Sequence, residues 1–129
     1  MIKYLIFTIV LIFQFTFAEN LISIIATANV HGEIDPCGWK KKPLGGLARK
    51  STVLSNYVNE NIYVVDAGNL FFSKELVDKG ISTDAADVNA NIILDSFNKM
   101  GCDIFSPGSK DFALGKNFLV DFSKKSKFP

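Results

Sequence analysis

The stretch that indicates the fold class is LISIIATANVHG, residues 21–32. Its first six residues, apolar except for Ser23, form a run of strand length, which predicts a strand buried on both faces, as in a parallel sheet. The polar residues Asn29 and His31 follow at once, where that strand would end. The stretch therefore predicts the first strand of an α/β domain and a polar turn at its carboxyl end.

The same pattern recurs twice further along the chain. Residues 62–65 and 102–105 predict two more buried strands, which end near Gly68 and Gly108. Helices are predicted over residues 44–58, with Leu44 on the buried side, over residues 82–100, and over residues 116–125. Strand and helix thus alternate three times, which predicts an α/β fold with three mainly parallel strands.

Each predicted strand ends in a polar turn: Asn29 to His31, Gly68 to Asn69, and Gly108 to Asp111. Because the carboxyl ends of parallel strands meet at one edge of the sheet, and ligands bind at that edge in open α/β sheets, a functional site is predicted there.

Residues 1–18 have the pattern of a signal peptide. Lys3 precedes an apolar run over residues 4–17, and Thr16 and Ala18 are the small residues of a cleavage site before Glu19. The run is shorter than the roughly 20 residues that span a bilayer. We expect export to the periplasm or the medium, with no stable membrane span after cleavage.

The composition of the chain excludes several classes of function. Residues 19–129 carry 13 basic and 13 acidic groups, so no excess of positive charge favours nucleic acid as a partner. The single histidine excludes a site that needs several histidines from this chain alone. Cys37 and Cys102 are predicted at opposite ends of the sheet, roughly 15 Å apart, which is too far for a disulfide bond.

The turns and the segments around them resemble the N-terminal part of the catalytic domain of secreted 5′-nucleotidases, within the calcineurin-like metallophosphoesterases. The segments that carry the resemblance are IIATANVHG (24–32), GGLAR (45–49), DAGN (66–69), NKMGCD (98–103) and GSKDFALG (108–115). The resemblance implies that residues 19–129 are the N-terminal, apparently truncated, part of a layered metallophosphoesterase sandwich.

The resemblance also implies a site for two divalent metal ions. The family's site positions that fall in this chain are Asn29, His31, Asn69, Ser109 and Lys110, followed by Asp111. Of the first five, only His31 keeps the family residue, since the family has Asp at 29 and 69, Asn at 109 and His at 110. Two close dications need carboxylates, and a lysine repels them, so no metal site and no cofactor are predicted.

Two functions are compatible with these substitutions. In the first, the protein is a catalytically degenerate, secreted member that binds a nucleotide or another phosphate-bearing small molecule without metal. Its anion-binding candidates are Lys110, Asn69 and Asn29, with the lysines of residues 40–42 nearby. The alternative is a residually active metal-dependent phosphoesterase that uses ligands from a missing C-terminal part.

Overall fold

The computed structural model describes residues 22–38, 41, 43–57, 61–76 and 82–129. The elements in chain order are β1 (Ser23–Thr27), α1 (Leu47–Ser55), β2 (Ile62–Asp66), α2 (Thr83–Met100), β3 (Ile104–Phe105), a 3₁₀ turn (Ser109–Phe112) and α3 (Lys116–Lys125). The predicted alternation of strands and helices is therefore confirmed.

The three described strands form one parallel sheet in the order β1-β2-β3. Ile24 of β1 lies opposite Tyr63 of β2, and Val65 of β2 lies opposite Ile104 of β3. With all three strands pointing the same way, their carboxyl ends meet at one edge of the sheet, as the sequence predicted.

The core lies against one face of this sheet. Helix α2 contributes the fully buried residues Ala90, Ile93 and Phe97, and the segment after β2 contributes Leu70 and Phe71. The rings of Phe71, Phe105, Phe118, Phe122 and Phe128 extend the core in a chain of aromatic contacts. The Phe71 and Phe122 rings meet edge to face with their centroids 4.9 Å apart, a geometry that aromatic pairs prefer.

The prediction that the first two strands are buried on both faces is wrong. Residues alternate between exposed and covered along β1, and Ile24, Tyr63 and Ile104 on the outer face are 68%, 50% and 52% exposed. The described helices cover only the face that carries Val64 and Asp66. The apolar run predicted a second covering layer, which the described residues do not supply.

The predicted start of the first helix, and the buried position of Leu44, are also wrong. Gly45 and Gly46 have φ angles of 75° and 90°, in the left-handed region, so α1 begins only at Leu47. Leu44 is 74% exposed and instead exchanges two backbone hydrogen bonds with Cys37, of 3.0 and 2.8 Å. The third strand begins at Ile104, two residues later than predicted.

The ends of α2 follow the sequence pattern closely. The Ser82 hydroxyl accepts a hydrogen bond of 3.1 Å from the backbone N–H of Ala85, which caps the amino end. Gly101 has a φ of 79° and terminates the helix in the left-handed conformation. No helix in the described part of the chain is long and apolar enough to span a membrane. The predicted signal peptide, residues 1–18, lies outside the described residues.

Both cysteines are free thiols, as predicted. Cys102 is buried, and this burial raises the pKa of its thiol. Cys37 is exposed and donates a hydrogen bond of 2.8 Å to the Glu33 carboxylate. That hydrogen bond, with the negative charge of Glu33, raises the pKa of the Cys37 thiol, because it favours the protonated form.

We therefore expect Glu33→Gln to speed the alkylation of Cys37 by iodoacetamide at neutral pH. The neutral amide does not repel a thiolate, so the pKa falls and the reactive thiolate fraction rises. Glu75→Gln, at another exposed position, is the matched control and should leave the rate unchanged. Mass spectrometry of the folded protein should find label on Cys37 before Cys102. Equal rates of Cys37 alkylation in the unmodified protein, Glu33→Gln and Glu75→Gln would contradict the hydrogen bond.

Candidate functional site

The turn after β1 holds Asn29 and His31 in an uncommon backbone conformation. Their φ angles are 58° and 57°, in the left-handed region, which Asn and His enter more readily than most residues. The backbone N–H of Asn29 donates to the carbonyl of Gly68 at 2.9 Å, and that of His31 donates to Asn69 at 2.8 Å. This turn is thus fastened along its length to the turn after β2.

The turn after β2 is anchored by Asp66, which is 2% exposed. Its carboxylate accepts hydrogen bonds from the Thr27 hydroxyl at 2.6 Å and from the backbone N–H of Gly68 at 2.9 Å. Asn69 follows with a φ of 53°, a third left-handed residue at this edge of the sheet. Asp66 therefore faces the interior and shapes the turn, while Asn69 is left to face the site.

Lys50 of α1 lies beneath this turn. Its ammonium group donates to the Thr27 hydroxyl at 2.8 Å, lies 4.0 Å from the Asp66 carboxylate, and sits 3.9 Å from the centre of the Phe97 ring. Burial lowers the pKa of Lys50, and the charge of Asp66 opposes that shift. Asp66 therefore has a cationic partner in the interior as well as its two hydrogen bonds.

The turn after β3 is organised by Asp111, which is fully buried. One of its carboxylate oxygens accepts hydrogen bonds from the backbone N–H groups of Leu70 and Phe71 at 2.7 and 2.9 Å. The other oxygen accepts from the N–H of Gly108 at 2.9 Å. Asp111 thus joins the turns after β2 and β3 and points away from the candidate site.

Four of the predicted site residues come together in one set of hydrogen bonds. The Asn69 Nδ2 donates to Asn29 Oδ1 at 2.9 Å, and the backbone N–H of Lys110 donates to Asn69 Oδ1 at 3.1 Å. The Lys110 Nζ lies 3.2 Å from His31 Nε2. We call Asn29, His31, Asn69 and Lys110 the site network. The predicted meeting of the three turns is confirmed, although their residues are up to 79 positions apart.

The other predicted site residues lie outside the site network. Ser109 is exposed and takes part in none of these hydrogen bonds in the described part of the chain. Lys41 is exposed, and Lys40 and Lys42 lie outside the described residues. Sequence reasoning missed the supporting roles of Lys50 and Asp66. The sequence carried one signal of the role of Asp66, which is an acidic residue directly after the predicted strand over residues 62–65, in the DAGN segment.

The residues present do not fit a centre for two divalent metal ions. Asn29 Oδ1 and Asn69 Oδ1 already accept N–H groups, and the nearby acids Asp66 and Asp111 are buried and bonded inward. Among the described residues, no group of three or more His, Cys, Asp or Glu side chains could hold a metal. Neutral amides, one imidazole and an ammonium do not supply the negative charge that two close dications need.

Comparisons with known proteins agree with this fold. The chain is 28% identical, over 111 residues, to a 2′,3′-cyclic-nucleotide 2′-phosphodiesterase/3′-nucleotidase of Haemophilus influenzae; the match covers 82% of this chain. It superposes with a TM-score of 0.62 on a calcineurin-like phosphoesterase of Bacillus subtilis, YfkN, at 25% identity over 84% of this chain. A crystal structure described as a 5′-nucleotidase of Staphylococcus aureus in complex with alpha-ketoglutarate gives the same TM-score, at 18% identity over 84% of this chain. No protein-family model matches the chain.

The chain thus has the α/β fold of calcineurin-like phosphoesterases, in the form of three parallel strands alternating with helices. Within that class, the resemblance to the 5′-nucleotidase and metallophosphoesterase family is confirmed. The chain spans 17% of the length of the Haemophilus influenzae relative, 35% of the Bacillus subtilis chain and 22% of the Staphylococcus aureus chain.

Proposed function

We propose that this protein is a catalytically degenerate relative of the 5′-nucleotidases that binds a phosphate-bearing small molecule, such as a nucleotide, without metal. The observation that carries the proposal is the half-buried ammonium of Lys110, 3.2 Å from His31 Nε2 at the edge where the three turns meet. A lysine at this place supplies a fixed positive charge to an anion, in a fold whose relatives act on phosphate esters.

The site network offers further donors to such an anion. Lys110 has three N–H bonds, and one of them is directed at His31, which leaves two for a ligand. The side-chain N–H₂ of Asn29 donates to no acceptor in the described part of the chain. Ammonium and amide groups of this kind are the usual partners of phosphate oxygens in proteins. They can hold a phosphate group, which is the role that we propose for them.

A groove beside the network has room for the organic part of such a ligand. It has a volume of about 480 Å³ and its lining includes Asn29, Val30, Leu47 and Arg49. This volume lies within the range of small-molecule sites, and its mostly apolar lining suits a planar base or a similar group. A ligand that fits both the donors of the site network and this groove is a phosphate monoester with an apolar or aromatic group.

We expect Lys110→Gln to weaken the binding of a nucleoside monophosphate by about 10- to 100-fold, because a charge-assisted hydrogen bond contributes about 1.5–3 kcal/mol. Isothermal titration with adenosine monophosphate, in EDTA and at moderate salt, measures this change. Lys116→Gln, which alters an exposed lysine outside the network, is the matched control and should bind like the unmodified protein. Failure of the unmodified protein to bind adenosine monophosphate or inorganic phosphate saturably would refute the proposal.

The alternative is a weak metal-dependent phosphoesterase, and the retention of His31 at the site favours it. In that case hydrolysis of a cyclic nucleotide would appear with Mn²⁺ and disappear with EDTA. Under our proposal the protein hydrolyses no cyclic nucleotide, either with Mn²⁺ or with EDTA.

We extend the proposal to an exported location, which rests on the signal-peptide pattern of residues 1–18. An exported protein whose intact mass corresponds to a chain that begins at Glu19 would support this location.

A further inference from the structure

The family's metal positions are tied to one another in this chain by direct protein hydrogen bonds. His31 Nε2, the nitrogen that faces the turn after β3, is met by the Lys110 ammonium at 3.2 Å. For Lys110 to donate, this nitrogen must carry its lone pair, the same lone pair that would bind a metal ion. A cation approaching His31 would therefore have to displace the ammonium group.

The side-chain amide oxygens of Asn29 and Asn69 also accept hydrogen bonds within the site network. Asn69 Oδ1 accepts the backbone N–H of Lys110 at 3.1 Å, and Asn29 Oδ1 accepts the Nδ2 of Asn69 at 2.9 Å. Lys110 thus holds two partners at once, one through its side chain and one through its backbone. Both partners stand at positions where the family resemblance implies metal ligands.

The turns are joined by hydrogen bonds within the protein, from the backbone and from the buried carboxylates of Asp66 and Asp111. Asn29, His31 and Asn69 all have positive φ angles, a conformation that costs energy and persists only where the surrounding structure holds it. The N–H groups of Asn29, His31 and Gly32 donate to the segment after β2 at 2.8–2.9 Å. The turns after β1 and β2 are therefore tied to each other directly, by protein hydrogen bonds.

We infer that the Lys110 ammonium is the resident cation of this site, standing in the place of a divalent metal ion and excluding one. It follows that the two Asn residues are not the only barrier to metal binding. Restoring carboxylates at positions 29 and 69 alone would place negative charges in the network that already holds the Lys110 ammonium, and the site would stay closed to metal. Metal binding would return only when Lys110 is neutralised as well. The inference does not depend on whether the site binds phosphate.

The test compares Mn²⁺ binding by the complete chain in four forms. These are the unmodified protein, the double variant Asn29→Asp/Asn69→Asp, the double variant with Lys110→Gln, and the double variant with Lys116→Gln as the matched control. Electron paramagnetic resonance measures free Mn²⁺ in each titration, and circular dichroism verifies that each protein is folded. We expect the Lys110→Gln form to bind Mn²⁺ at least tenfold more tightly than the other three. Equal affinity in the double variant and in its Lys110→Gln form would overturn the inference.

A second measurement uses the fact that His31 is the only histidine in the chain, so its ring signals need no assignment. The ¹⁵N resonances of the ring should show Nδ1 protonated and Nε2 unprotonated in the unmodified protein. Lys110→Gln alone should change the Nε2 resonance, and Lys116→Gln should not. Mn²⁺ should leave the His31 signals of the unmodified protein sharp. Broadening of those signals by Mn²⁺ at stoichiometric concentration, or an Nε2 resonance indifferent to Lys110→Gln, would show that the ammonium does not occupy this place.

Discussion

Replacing Asp111 by alanine is expected to bring the described fold close to unfolding. The Asp111 side chain is fully buried, and its two oxygens accept three backbone N–H groups, from Leu70, Phe71 and Gly108. Alanine has no acceptor, and Leu70 and Phe71 are themselves 0% and 2% exposed, so water cannot readily replace the carboxylate. The variant therefore leaves buried donors without partners.

The size of the effect follows from the cost of such donors. A buried N–H that loses its partner costs about 1–3 kcal/mol, so three of them amount to roughly 3–6 kcal/mol, allowing for some water at Gly108. Natural domains are stable by only about 5–15 kcal/mol. Urea unfolding followed by circular dichroism should show the midpoint shifted down by more than about 1 M.

Two further variants separate this mechanism from a general loss of charge. Asp95→Ala removes an exposed carboxylate from α2 and should shift the urea midpoint very little. Asp111→Asn keeps one oxygen to accept from Leu70 and Phe71, but it turns an N–H₂ group toward the N–H of Gly108. The stability of Asp111→Asn should therefore lie between that of Asp111→Ala and that of Asp95→Ala. A stable Asp111→Ala variant would mean that the turns after β2 and β3 do not depend on this carboxylate.

The sequence was most informative where local pattern and fold agree. The apolar runs before Asn29 and Asn69 predicted two strands, and the turn residues after them predicted one shared edge. The predicted helix over residues 82–100 matches α2 for the same reason, because its caps at Ser82 and Gly101 each depend on a few neighbouring residues. The sequence pattern therefore predicted that the three turns share one edge, while the individual site positions came from the resemblance to the family.

Other features depend on contacts between distant parts of the chain, which no local pattern encodes. The bond between Asn29 and Asn69 joins residues 40 positions apart, and the contact of Lys110 with His31 joins residues 79 apart. Sequence reasoning treated Lys110 as a free cation and did not foresee that His31 would be its partner. The apolar runs also predicted burial on both faces of the strands, because a run of this kind reports the hydrophobicity of the strand and not which layers cover it.

Gly68→Ala is the second substitution for which we expect a large effect. Gly68 has a φ of 94°, and a methyl group there would overlap the backbone of Ser106 and Gly108 and lie 2.9 Å from the carbonyl carbon of Pro107. The turns after β2 and β3 can approach each other this closely only because position 68 has no side chain. Strain from the left-handed conformation adds about 1–2 kcal/mol to the cost of the overlap.

Gly101→Ala is the matched control for the backbone term. Gly101 also has a left-handed φ, of 79°, but a methyl group there would meet nothing within 4 Å. Both variants therefore carry the strain of a left-handed backbone at an alanine. Only Gly68→Ala adds the overlap of the methyl group with the turn after β3, and overpacking of this kind costs about 1–3 kcal/mol more. We expect urea unfolding to show Gly68→Ala less stable than Gly101→Ala by about that amount.

The comparison also bears on the site, because Asn69 is the next residue after Gly68. If the turns after β2 and β3 separate to admit the methyl group, the bond from the Lys110 N–H to Asn69 Oδ1 must lengthen, and Lys110 shifts relative to His31. Gly68→Ala should therefore disturb the His31 ring resonances, while Gly101→Ala, at the far end of α2, should not. Equal stability of the two variants would mean that the turns do not touch at Gly68. The close packing that we hold responsible for the site network would then be absent.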